Sequence, residues 1–203
     1  MSLLHLRAAG TSLLLDTGPP GLPRVLHWGS DLGDLDDVTL AEVARVLVAP
    51  LTSNTMDDHV PLAVLPEPGG GWAGTPGLAL HRDGRMVTTR FETADVDLTT
   101  GVGDDGATSR VVVRATDEVE SVGVEVEVEL SGSGLLRLRA SVTNRGDVPL
   151  QVDGVLLALP VPDLAREVLD LTGRHMRERI PQRHAFTLGT HLREGRRGRT
   201  GTD

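Results

Sequence analysis

Two short groups of acidic residues could supply the paired carboxylates that acid–base hydrolysis requires. Asp34, Asp36 and Asp37 directly precede a stretch with helical spacing, where acids cap and stabilise the start of a helix. Asp104 and Asp105 lie between glycines, in the kind of turn that aspartate commonly occupies. For both groups the pattern favours a structural role over catalysis.

Metal-ligating residue types are present, but their spacing is unlike that of known metal sites. The run Asp57–His59 could coordinate a metal, although a solvated loop is the favoured interpretation. His175, His184 and His191 fit neither the helical i, i+4 zinc pattern nor a finger spacing. The chain has no cysteine, and therefore no thiolate ligand, disulfide or cysteine nucleophile. The sequence predicts no metal and no cofactor.

Catalytic and nucleotide-binding motifs are also missing from the sequence. There is no G-x-S-x-G elbow, no Walker-type loop and no dinucleotide fingerprint. The three glycines at 69–71 follow proline-rich sequence rather than a strand, so they do not predict a phosphate cradle. We assign no catalytic residue from the sequence.

The C-terminal segment is basic, whereas the rest of the chain is acidic. Residues 174–203 hold eight arginines against three acids, although the net charge of the whole chain is −9. No aromatic residues are interleaved with Arg193, Arg196, Arg197 and Arg199, as a single-stranded nucleic-acid site would require. Docking on an acidic neighbouring domain or subunit is the favoured reading, and no nucleic-acid partner is expected.

Trp72 is the most suggestive single residue. It lies in residues 51–77, a region rich in proline and glycine, and long irregular loops in compact domains are often functional. A tryptophan in such a loop must pack on something. A sugar ring, another subunit or its own sheet would each serve, and the sequence leaves these alternatives open.

The elements that must position these residues are mostly strands. Residues 121–160 alternate apolar and polar side chains for most of their length, which indicates half-buried strands. Because a one-residue slip would invert every side chain, the pattern sets Leu130 opposite Leu136 in a first hairpin. It then sets Leu138 opposite Val152 in a second. The sequence thus predicts a three-stranded antiparallel meander.

The rest of the chain adds short strands and one helix, predicted near Thr39–Val48. Gly 24 and Pro 12 suit many turns, so the predicted fold class is all-β, a large two-sheet antiparallel β-sandwich. Further strands are predicted at residues 2–9, 11–17, 24–28, 77–81, 86–98 and 110–116.

No targeting signal is recognisable in the sequence. The first ten residues lack a basic region followed by a long apolar run, and no apolar run approaches the ~18 residues that a spanning helix needs. We expect a cytoplasmic protein without a membrane partner.

Three separated stretches together resemble the N-terminal domain of bacterial α-galactosidases of glycoside hydrolase family 36. Residues 61–85 read PLAVLPEPGGGWAGTPGLALHRDGR. Residues 142–162 read VTNRGDVPLQVDGVLLALPVP. Residues 169–201 read LDLTGRHMRERIPQRHAFTLGTHLREGRRGRTG. In order and spacing they cover most of the chain.

The resemblance implies a β-supersandwich of the galactose-mutarotase-like type, preceding a catalytic barrel. Both catalytic aspartates of the family lie on that barrel, which needs about 250 residues. We therefore expect a fragment, with residues 1–172 as the sandwich body and 173–203 as the last strands and the start of a linker. The implied partners are α-galactoside sugars, bound through the full-length enzyme, and further copies of the chain in a homo-oligomer.

One loop of the family carries a G-D-(F/Y)-R-x-P pattern and reaches a neighbouring subunit's active site. This chain has Trp72 in place of the aspartate and Gly74 in place of the arginine. The polar sugar contact is thus not carried over, and Trp72 is the candidate for the rim of the substrate pocket or for an interface.

The leading hypothesis is a non-catalytic N-terminal domain that contributes to stability, oligomer contacts and the substrate rim. The alternative is a free-standing carbohydrate-binding or assembly β-sandwich. An aldose-epimerase-like enzyme is a further alternative, which would need an inward-facing histidine and carboxylate pair.

Overall fold

The computed structural model describes residues 2–18, 21–48, 53–54, 60, 62–103, 106–162 and 164–193. By its internal contacts the chain divides into two compact units, Met1–Pro160 and Val161–Asp203.

Antiparallel strands dominate the first unit. Its elements are β1 (Leu3–Ala8), β2 (Thr11–Asp16), β3 (Arg24–Ser30), α1 (Asp37–Leu47), a 3₁₀ turn (Pro68–Gly70), β4 (Leu78–Arg82), β5 (Arg85–Val87), β6 (Glu92–Gly103), β7 (Gly106–Asp117), β8 (Val122–Leu130), β9 (Leu136–Asn144) and β10 (Gln151–Val155). The second unit holds one hairpin, β11 (Glu167–Arg174) and β12 (Arg177–Ala185). Residues 172 and 173, where the sequence suggested a division, both lie within β11.

Three sheets of the first unit share one apolar core. Their strand orders are β6-β7-β8-β9, β1-β2-β3 and β10-β4-β5. Val113 and Val126 of the four-stranded sheet are fully buried together with Leu13 and Leu80 of the two smaller sheets. The all-β antiparallel sandwich expected from the sequence is confirmed.

Strand β2 is covered on both faces. Leu13 and Leu15 point into the main core, whereas Leu14 packs against Leu40 and Ala44 of α1. A strand buried on both faces reads as a continuous apolar run rather than an alternation, as in its three consecutive leucines. The single short helix is confirmed, and it covers the outer face of β2.

The predicted β8–β9 hairpin has the predicted register. Leu130 lies opposite Leu136 and Glu129 opposite Arg137, with 3.0 Å between Arg137 Nη1 and Glu129 Oε1. The ladder of opposite charges continues onto β7, where Arg110 bonds Glu127. The alternation of apolar and polar residues was sufficient to predict this register, because the two strands are neighbours in sequence.

The predicted third strand of the meander is wrong. β10 pairs with β4, so Val152 lies opposite Leu80 rather than Leu138. Asn144 folds the intervening turn on itself, because its side chain accepts the Gly146 N–H (3.2 Å) and donates to a carbonyl further along the turn. The same side-chain oxygen accepts from Arg82 at the end of β4 (2.6 Å). This bond ties the turn to β4, so β10 runs beside β4.

The single strand predicted over residues 86–98 is also wrong, because it forms β5 and β6 with a link at residues 88–91. The link leaves the sheet and gives its N–H groups to buried carboxylates. Asp117 accepts from Arg90 (2.8 Å) and Glu67 accepts from Phe91 (2.6 Å). This link positions the loop that carries Trp72.

Candidate functional site

The Trp72 loop, which we define as residues 62–77, is embedded at its base. Val64 and Leu65 are fully buried in the main core. Val64 donates to the Pro23 carbonyl at 2.8 Å, and Val64 in turn accepts from the Ala158 N–H at 2.8 Å. The loop is therefore held by two other parts of the chain before it reaches Trp72.

Glu67 connects this base to the turn above it. Its side chain is almost completely buried, and Oε2 accepts the Phe91 N–H at 2.6 Å. Its backbone carbonyl accepts the N–H groups of Gly70 and Trp72, both at 3.1 Å. The residue thus joins the backbone of Trp72 to the link at 88–91.

The Glu67 carboxyl has an unusual protonation equilibrium. Its pKa is raised to about 7, chiefly by burial and in smaller part by the nearby negative charge of Asp117. The N–H groups of Phe91 and Leu22 and the positive charge of Arg90 act in the opposite direction. Because burial dominates, the carboxyl changes its protonation near neutral pH.

Two glycines allow the turn to form. A Cβ on Gly69 would lie 2.3 Å from the Thr89 carbonyl oxygen, so the backbones approach more closely than any side chain allows. Gly71 has φ of 99° at the end of the 3₁₀ turn, a left-handed conformation that favours glycine. The sequence signalled a loop here, and the structure shows a tightly packed turn.

The indole of Trp72 packs within its own loop and is partly exposed. Its Nε1 donates to the Thr75 carbonyl at 3.0 Å. A Cβ on Gly74 would lie 2.8 Å from the indole atoms Cε2 and Nε1, so the ring lies directly against that glycine. The contacts seen are with its own loop, whereas the sequence alternatives were a sugar ring, another subunit or its own sheet.

The acidic group before α1 has the structural role expected. Asp36 is the N-cap and its side chain accepts the Thr39 N–H at 2.7 Å. The hydrogen bonds from Thr39 lower the pKa of Asp36. Asp37 lies in the first turn and Asp34 is exposed. These residues do not form a paired acid–base site.

Several other candidates lie outside the described residues, namely Asp57–His59, Asp104, Asp105, Arg196, Arg197 and Arg199. Of the remaining histidines, His184 and His191 have ring centroids 5.5 Å apart. His191 Nε2 also lies 3.6 Å from Asp170 Oδ2. In the part of the chain that the structure describes, no cluster of three potential ligands could hold a metal ion.

A serine–histidine pair that the sequence did not reveal occurs in the β1-β2-β3 sheet. Ser12 is fully buried, and its Oγ lies 2.8 Å from His5 Nε2. The hydroxyl donates to Asp31 (3.0 Å) and accepts from the Leu32 N–H (2.9 Å). A nucleophilic serine would have to give its proton to the histidine and be accessible. This serine does neither, so the network is structural.

A second histidine–carboxylate contact joins β4 to β10. His81 Nδ1 lies 2.6 Å from Asp153 Oδ2, and both side chains are solvent-accessible. An aldose-epimerase-like site would need such a pair facing inward. This pair instead lies at the surface of the β10-β4-β5 sheet.

The four-stranded sheet also carries a shallow cavity of about 290 Å³ on its polar face, lined by Glu127, Glu129, Arg137, Leu138 and Arg139. Opposite charges neutralise one another along this face, as in the Arg137–Glu129 pair. Its lining contains no aromatic side chain on which a sugar ring could stack. The Trp72 loop is therefore the better candidate site.

The fold and this loop define a β-sandwich domain, and the family model of the glycosyl hydrolase family 36 N-terminal domain matches residues 21–203. The chain belongs to this family. The resemblance of three separated stretches is thereby confirmed.

Its relatives are longer proteins. The chain is 29% identical over 198 residues to an α-galactosidase of Escherichia coli, covering 97% of this chain and 26% of that protein. The GH36 α-galactosidase AgaA of Geobacillus stearothermophilus shares the fold with a TM-score of 0.76 at 15% identity, covering 97% of this chain and 30% of that one. An α-galactosidase of Lactobacillus brevis gives 0.74 at 17% identity, covering 91% and 27%. The chain thus spans less than a third of their lengths.

Among the described residues, no helix has the length and apolar character required to cross a membrane.

Proposed function

We propose that this chain acts as the non-catalytic N-terminal domain of an α-galactosidase that hydrolyses terminal α-galactosides. The observation that carries the proposal is the family match over residues 21–203 combined with coverage of only 26% of the E. coli α-galactosidase. The domain would contribute to stability and to oligomer contacts, and catalysis would belong to a separate barrel. The segment from residue 173 would lead towards that barrel.

An assay on the isolated chain tests the non-catalytic role. Purified chain is mixed with an aryl α-galactoside, and the E. coli α-galactosidase serves as the positive control. We expect no turnover by the chain. Measurable turnover that copurifies with the chain would contradict the proposal and would direct attention to the histidine–carboxylate pairs described above.

A chimera tests the positive part of the proposal. The matched segment of the E. coli α-galactosidase is replaced by this chain, and a variant simply lacking that segment is the control. We expect the chimera to be soluble and to hydrolyse the aryl galactoside, unlike the deletion. Equal failure of both proteins would count against a role as an interchangeable N-terminal domain.

We further propose Trp72 as a contact residue at the rim of the substrate pocket or at a subunit interface. Support comes from its partly exposed indole, which is held in a defined orientation by Gly74 and the Thr75 carbonyl. Such an oriented, partly exposed ring is a suitable surface for a sugar or for a neighbouring subunit.

Fluorescence can test the rim role, because Trp28 and Trp72 are the only tryptophans and there is no tyrosine. In a Trp28→Phe background, Trp72 emission is titrated with raffinose, and with sucrose as the control that lacks the α-galactosyl group. We expect a change with raffinose only, and in the chimera, which contains a barrel, rather than in the isolated chain. The absence of any response in both the chain and the chimera would remove Trp72 from the substrate site.

Homo-oligomer formation is part of the same proposal and is measurable by sedimentation of the chain and the chimera. A response of the isolated chain to galactose, without any barrel, would instead favour a free-standing carbohydrate-binding domain. The cytoplasmic location stays a prediction from the sequence.

A further inference from the structure

We propose that Glu67 is a positioning residue for Trp72, acting as a proton-sensitive latch between the Trp72 loop and residues 88–91. This inference rests on the proposed rim role for its functional meaning. The physical prediction itself is that protonation of the Glu67 carboxyl changes the environment of the Trp72 indole, and this can be measured without any ligand.

The latch has two ends that belong to the same residue. At the side-chain end, the carboxylate accepts the Phe91 N–H at 2.6 Å. At the backbone end, the carbonyl accepts the Trp72 N–H at 3.1 Å. Any movement of the Glu67 backbone that follows a change at its carboxyl is therefore transmitted directly to the residue that carries the indole.

Packing and hydrogen bonds hold the far side of the latch, at residues 88–91, in place. Phe91 is almost completely buried in the main core, and the preceding residue, Arg90, gives its N–H to the buried carboxylate of Asp117 at 2.8 Å. Gly69 lies directly against the Thr89 carbonyl. Residues 88–91 are held by core packing and by a second carboxylate, whereas most residues of the turn after Glu67 are exposed. That turn, which carries Trp72, is therefore the side that moves when the latch weakens.

The surroundings of the carboxyl decide how protonation acts. The charged groups facing it are Asp117, at the end of β7, and Arg90, in the link. A Cβ on Gly21 would lie 3.7 Å from Glu67 Oε1, and Leu22 donates its backbone N–H to the carboxyl. The ionised form accepts N–H bonds strongly, and such charge-assisted bonds are about twice as strong as neutral ones. Burial outweighs this preference, because the pKa of the buried carboxyl is raised rather than lowered, so ionisation weakens the closed latch as pH rises through about 7.

The experiment follows Trp72 emission from acidic to mildly alkaline pH in the Trp28→Phe background. We expect a sigmoidal change with a midpoint near 7, and we expect it to be absent in Glu67→Gln, which keeps the shape of the side chain but cannot ionise. Glu92→Gln, an exposed acid at the start of β6, is the matched control and should leave the midpoint unchanged. A flat emission profile in the Trp28→Phe protein itself, or the same midpoint after Glu67→Gln is added, would overturn the proposal.

Asp117→Asn provides a second, independent reading. Removing this negative charge should move the midpoint to lower pH, because the charge favours the protonated form of Glu67. If Glu67→Gln does not fold, as judged by circular dichroism, the Asp117→Asn midpoint decides, and an unchanged midpoint overturns the latch. The raffinose titration at fixed pH is a separate measurement, so failure of the rim role and failure of the latch are distinguishable.

Discussion

Replacing Gly69 by alanine should disrupt the contact between the Trp72 loop and residues 88–91. A Cβ at this position would lie 2.3 Å from the Thr89 carbonyl oxygen and 2.9 Å from Arg90 Cβ. Neither neighbour is the movable end of a flexible side chain. Both belong to a link whose N–H groups are held by the buried carboxylates of Asp117 and Glu67, so the clash cannot be relieved by a rotamer change.

The expected loss of stability follows from that geometry. Overpacking a well-packed site costs about 1–3 kcal/mol, and a contact with main-chain atoms at 2.3 Å belongs at the upper end, about 3 kcal/mol. For a chain of 203 residues, each kcal/mol lowers Tm by roughly 2–4 °C. Gly69→Ala should therefore lower Tm by roughly 6–12 °C.

Gly70→Ala is the matched control, since it makes the same chemical change one residue further along the same turn. Its Cβ would meet only Glu67 Cβ, at an ordinary 3.7 Å, so Tm should change little or rise slightly through the reduced entropy of the unfolded chain. Thermal unfolding followed by circular dichroism measures both variants. Equal Tm values for Gly69→Ala and Gly70→Ala would refute the reasoning about the packed turn.

Three further predictions concern single side chains. The folded-state pKa of Glu67, about 7, lies above its ordinary value of 4.5, so the protonated carboxyl stabilises the fold. Tm should therefore fall as pH rises from 4.5 through 7. Glu67→Gln should reduce this dependence of Tm on pH. Gly74→Ala should displace the Trp72 indole, because the new Cβ would lie 2.8 Å from the ring; unchanged Trp72 emission in the Trp28→Phe background would contradict this. Ser12→Ala leaves the partly buried Leu32 N–H without its acceptor and should cost about 1–3 kcal/mol in chemical unfolding. Ser141→Ala, at an exposed position of β9, should change stability by less than about 0.5 kcal/mol.

The part of the fold that the sequence predicted well is local. The β8–β9 register followed from alternation, because adjacent strands joined by a short turn can bring their apolar faces together only in a restricted set of pairings. The cap at Asp36 followed from the same kind of reasoning, since a helix start needs an acceptor for its free N–H groups. In each case the deciding neighbours lie within a few residues.

The partner of β10 required information from a distant part of the chain. The alternation of side chains permits Val152 to face any strand with an apolar face, and Leu80 meets this condition as well as Leu138 does. The choice depends on the bond between Arg82 and Asn144, which are 62 residues apart in sequence. No local pattern encodes such a bond, so the sequence pattern wrongly placed β10 beside β9 in the meander.

The candidate site shows the same division between local and distant information. From the sequence alone, residue types identified the loop, its glycines and Trp72 as the position to examine, and three separated stretches indicated the family. Only the tertiary structure showed that Glu67 is buried beside Phe91 and near the charge of Asp117, because both residues are remote from it in the chain. Composition and periodicity report which side chains seek water or the core, but the desolvation that shifts a pKa depends on which distant segments close over the group.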